Sequence, residues 1–124
     1  MKKTVLLGLL AIMLVFFLGG CESEKSFEVK YEITGPAITS NYVMYFTGNG
    51  TDNIQTNNVP IPWSHTFTVT LGKNETVGIG CSAGLPYSNT DSYIARIYVN
   101  GSQKASSTSS SSHVSATYAL QNIN

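Results

Sequence analysis

Phe27-Glu28-Val29-Lys30-Tyr31-Glu32-Ile33-Thr34 alternates apolar side chains with charged or hydroxyl ones without a break. Successive side chains of a strand point to opposite faces, so this run predicts a strand with one buried and one wet face. Gly35-Pro36 predicts its end. Downstream, residues 38–47 read as a second strand, Gly48-Asn49-Gly50 as a turn, and Asp52 to Val59 as a polar edge strand. Two prolines in Pro60-Ile61-Pro62-Trp63 lack the N–H that a central ladder needs, which predicts a bend at an edge. Phe67, Val69 and Leu71 then alternate with threonines, Gly72-Lys73-Asn74 turns, and Val77, Ile79 and Cys81 share one face of the next strand. Residues 82–92 read as a loop. Tyr93 to Val99 is a strong strand closed by Asn100-Gly101, the dipeptide that suits a type I′ hairpin. Ser102 to Ala105 returns, the serine-rich stretch 106–112 reads as a flexible hairpin tip, and Val114, Ala116, Tyr118 and Leu120 mark a last strand.

Turn signals recur every ~8–12 residues, with no sustained helical periodicity beyond the N-terminus. The fold class is therefore all-β: an antiparallel immunoglobulin-like sandwich of seven or eight strands over residues 27–124.

The N-terminus has a different chemistry. Lys2 and Lys3 precede an apolar run from Val5 to Leu18, followed by Gly19-Gly20-Cys21. This resembles a bacterial lipoprotein signal peptide, which implies cleavage between Gly20 and Cys21 and lipidation of the Cys21 thiol. The run of 14 residues falls short of the ~20 that span a bilayer core. The expected organisation is a signal over 1–20, a lipidated tether over 21–26, and the folded domain from 27. The expected location is the cell envelope, lipid-anchored and facing the periplasm or the cell exterior. With Cys21 acylated, Cys81 has no disulfide partner; its alternation with Val77 and Ile79 suits a core residue, the other reading being a nucleophile or an intermolecular bridge.

Beyond residue 20 the chain has five basic and seven acidic side chains, a net charge of −2. Without a basic cluster it has no nucleic-acid footprint. Catalysis needs titratable groups gathered with matched roles. The two histidines, His65 and His113, have no carboxylate nearby in sequence and are expected on the wet faces of strands. Asp52 and Asp91 stand alone in loops where turn chemistry explains them as well as calcium would. No metal, cofactor or enzymatic activity is expected. Trp63 at the proline-bent edge and Tyr87 in a Gly-Pro loop are the aromatic candidates for partner contact, with capping of the core as the other role for Trp63.

Tyr31-Glu32-Ile33-Thr34-Gly35, Ile61-Pro62-Trp63 and Tyr98-Val99-Asn100-Gly101, in this order, resemble the extracytoplasmic domain of the MmpS family over residues 27–120. The resemblance implies an immunoglobulin-like fold and a role as accessory to a large membrane transporter. Mycobacterial members carry a transmembrane tether and a cysteine pair on the late strands. Here the tether reads as lipid, and neither Ala95 nor residues 114–120 supply a cysteine. The other functional expectation is a surface-displayed, adhesin-like module binding a glycan or a protein.

Overall fold

A computed structural model describes residues 23–48, 53–86 and 91–123. It contains eight strands: β1 (Lys25–Thr39), β2 (Tyr42–Phe46), β3 (Asn53–Asn57), β4 (Pro60–Leu71), β5 (Thr76–Gly84), β6 (Tyr93–Val99), β7 (Ser102–Ser109) and β8 (His113–Gln121). They form two four-stranded antiparallel sheets, ordered β4-β1-β6-β7 and β3-β2-β5-β8, which pack as the expected sandwich. Gly20, Cys21, Asp52 and Tyr87 lie outside the described residues.

The alternation that predicted β1 also builds the core. Phe27, Val29, Tyr31 and Ile33 are buried against Tyr93, Ala95, Ile97 and Val99 of the neighbouring β6. Cys81 joins this core between Ile79 and Ala83. Asn100 and Gly101 take φ of 49° and 81°, as a type I′ hairpin requires. The Asn100 N–H donates to the Glu28 carbonyl and its Oδ1 accepts the Glu28 N–H, so the turn is fastened to the central strand.

Four expectations need correction. Gly35-Pro36 does not end β1, which slips register between Ile33 and Ile38 and then pairs Ile38 and Thr39 with Ile61 and Pro60. A slip absorbs the two breakers because β4 continues as a partner beyond them. Pro60–Trp63 accordingly belongs to β4 rather than forming a separate bend. As expected, though, it lies at a sheet edge, where a missing N–H breaks no ladder. Most of the serine-rich stretch is strand: β7 runs to Ser109 because β6 offers it a ladder as far as Tyr93, leaving only residues 110–112 as the tip. Likewise Ser82, Ala83 and Gly84 extend β5 instead of opening the loop.

The outer faces of the two sheets differ. Glu32 on β1 pairs with Arg96 at 3.2 Å and with Lys30 at 3.4 Å, giving the first sheet a charged surface. On the second sheet, β2 turns Tyr42, Met44 and Phe46 outward beside Asn53, Gln55 and Asn57 of β3. Among the described residues, no Lys, Arg, Asp or Glu stands on β2, β3, β5 or β8.

Candidate interaction surface at the open side

The sandwich is closed on one side, where β7 and β8 approach each other. On the opposite side β4 faces β2 across a filling of rings. Trp63, His65 and Phe67 occupy alternate positions of β4 and so share its inward face. Trp63 and His65 stack with centroids 6.3 Å apart and planes within 12°, and His65 and Phe67 stack at 5.8 Å and 24°. Tyr45 of β2 meets this row from the other sheet, 4.7 Å from His65 and 5.7 Å from Trp63. Ile54 of β3 pairs with Tyr45 and is 40% exposed, extending the apolar patch to the sheet edge.

This placement corrects the expectation for His65. It faces inward, half-buried between two rings, because positions 63, 65, 67, 69 and 71 all share one parity. That parity was readable beside Phe67, Val69 and Leu71. His113 is exposed as expected, its Nδ1 3.5 Å from the Tyr42 hydroxyl. Trp63 combines both roles considered for it: it packs against the core yet remains partly exposed.

Tyr31 braces the row from behind. It is fully buried, with Phe67 at 5.1 Å and Tyr45 edge-on at 6.0 Å. Its hydroxyl crosses the sandwich, donating to the Phe46 carbonyl and accepting the Gly80 N–H. Phe46 and Gly80 form the last pair of the β2–β5 ladder, so the phenol satisfies backbone groups where strand pairing stops. Burial pushes its ionisation well above the ordinary phenol range, keeping the hydroxyl protonated and able to donate.

The patch carries no Lys, Arg, Asp or Glu, since Glu28, Lys30 and Glu32 alternate onto the other face of β1. It is flanked by β4 and β3, each an end strand with one unpaired edge. Partly buried rings between two edge strands suit contact with another polypeptide, through ring burial and added strand pairing. Among the described residues, no cluster of three or more His, Cys, Asp or Glu is placed to hold a metal ion.

Cys81 serves packing. Burial raises its thiol from the ordinary value near 9 to about 12, far from the thiolate that nucleophilic chemistry needs. The unfolded thiol therefore ionises first as pH rises. Stability is expected to decline above about pH 9 by ~1.4 kcal/mol per pH unit for this group. Urea unfolding midpoints measured from pH 8 upward should show this decline. Cys81→Ala should flatten it between about 9 and the phenol range near 10, where Tyr31 begins to contribute with the same sign.

No curated protein matches the chain. The family model described as Mycobacterium membrane protein, the MmpS domain, does match, over residues 17–122 and hence the whole sandwich. The aromatic-edged β-sandwich is thus the domain that the sequence resembled, and the chain belongs to this MmpS family of membrane-associated envelope proteins.

Proposed function

We propose that this protein is a non-enzymatic accessory of a membrane transporter, held in the envelope by lipid on Cys21 and docking through the open side of its sandwich. The observation that carries the reading is the aromatic row Trp63, His65 and Phe67, joined by Tyr45 and Ile54 and bordered by the unpaired edges of β4 and β3. Rings already ordered by stacking lose little freedom on binding, and a partner strand adding to β4 from Ser64 onward would meet no proline. Family membership supports the transporter as the class of partner.

A photocrosslinking residue placed at Ile54 in intact cells tests this. The expected product is a crosslink to a polytopic membrane protein, lost in Trp63→Ala. Because Trp63 is only partly buried, its removal should cost about 2 kcal/mol, less than the 3–5 typical of a buried ring, and leave the domain folded. Crosslinks that persist unchanged in Trp63→Ala, or that never include a polytopic protein, would overturn the docking surface.

A second reading rests on a different face. Tyr42, Met44 and Phe46 lie on the charge-free sheet beside the amides of Asn53, Gln55 and Asn57, and the Tyr42 ring covers Gly84 so closely that a Cβ there would fall 2.2 Å away. Rings with neutral hydrogen-bonding groups suit a glycan. Binding on a glycan array that is abolished by Tyr42→Ala and retained in Trp63→Ala would favour this surface-displayed module.

A further inference from the structure

We infer that the end of the sandwich where the chain enters seats directly on the phospholipid surface, with Ile123 and the groove beside it taking up lipid. The inference rests on the anchored reading above. Lys25 begins β1 opposite Leu71, the last residue of β4; Thr76 begins β5 opposite Gln121, the last of β8; and the Asn100-Gly101 turn closes the same end. Cys21 precedes Lys25 by four residues, a span of at most ~14 Å. An anchor at Cys21, or in the apolar run before it, therefore holds this end against the headgroups.

What the end presents suits that position. A groove of about 360 Å³ opens there, with Phe27, Val99 and Leu120 among its lining and Tyr118, Lys104 and Ile123 beside them. Ile123 is 74% exposed, against 42% for Phe46 and 40% for Ile54. The backbone leading to it is held in place. The preceding Asn122 donates through Nδ2 to the carbonyls of Leu71 and Gly72, donates its N–H to the Glu75 carbonyl and accepts the Asn74 N–H. An exposed apolar side chain that follows a firmly bonded residue at the anchored end is placed to insert. Lys25, Lys73 and Lys104, three of the five basic side chains beyond residue 20, share this end and can meet lipid phosphates. Glu24, Glu28 and Glu75 lie there too, and Glu22 follows Cys21 in the sequence, so the lysines are more than offset and apolar insertion must supply the contact. Seating is accordingly expected to withstand salt.

The test uses the full protein purified from membranes and reconstituted in phosphatidylcholine vesicles, with or without mid-chain brominated lipid. Ile123→Trp in a Trp63→Phe background reports on the seated end. The wild-type protein reports on Trp63, whose partner Ile33 is eight residues along β1 from Lys25, roughly 26 Å further out. Brominated lipid should remove most of the emission at position 123, at low and high salt alike, and leave that of Trp63 nearly unchanged. If the protein floats with the vesicles but position 123 is no more quenched than Trp63, seating is overturned while anchoring stands. If the wild-type protein does not float, or if Cys21→Ala floats equally well, the lipid anchor fails instead. Quenching at position 123 in the Cys21→Ala protein would then still support seating, and its absence there would overturn it.

Discussion

Replacing Tyr31 by phenylalanine is expected to lower the unfolding free energy by about 2 kcal/mol, and by alanine about 3–5 kcal/mol. The first change keeps the ring against Phe67 and Tyr45 but strands the Phe46 carbonyl and the Gly80 N–H, which the hydroxyl joins across the sandwich. Buried backbone groups without partners account for the cost, since the lost volume is one oxygen. Alanine also opens a cavity at a position with no exposure, directly behind the aromatic row. Urea unfolding followed by Trp63 fluorescence measures both, and for a domain of this size each kcal/mol lowers Tm by about 4–8 °C. A phenylalanine variant within ~0.5 kcal/mol of wild type would mean that water replaces the phenol at little cost, and that the brace is ring packing alone. Loss of partner crosslinking at Ile54 in a folded Tyr31→Phe protein would further link the brace to the docking surface.

What the sequence disclosed and what it hid follow from the same physics. Phe27 to Thr34 announced β1 because one face is buried and the other wet, and Asn100-Gly101 announced its turn because few dipeptides tolerate positive φ twice. Features that depend on a distant partner were not local. Ser106, Ser107 and Ser109 have no strand preference of their own and are strand because β6 lies alongside. Pro60 to Trp63 stay in β4 because Ile38 and Thr39 resume pairing after the slip. The aromatic row was half legible. Trp63 stood out as an aromatic at a bent edge, but Tyr45 and Ile54 join it only through the way the second sheet stacks, which no spacing within β4 reveals. The family resemblance named the module without indicating which of its sides is open.

The slip in β1 also sets the other large expected effect. Gly35 sits at φ +155° beside Tyr93, and a Cβ there would lie 2.4 Å from Cδ1 and 2.8 Å from Cε1 of that ring. The ring has nowhere to go: Tyr93 is fully buried, and its hydroxyl donates to the carbonyl of Pro36, the residue after the glycine, at 3.0 Å. Moving the ring would break that bond and empty part of the core, while moving the backbone would disturb the register that lets Ile38 find Ile61. Overpacking and an unfavourable backbone angle together predict a loss of about 3–4 kcal/mol for Gly35→Ala. Gly78→Ala is the matched comparison: a Cβ on Gly78 meets nothing within 4 Å, and that substitution should stabilise β5 by about 0.5–1 kcal/mol. Urea unfolding of the two variants separates a steric requirement from a general preference for glycine. Equal, small effects would show that the β1 slip accommodates a side chain at Gly35, and that the breaker pair is tolerated there rather than required.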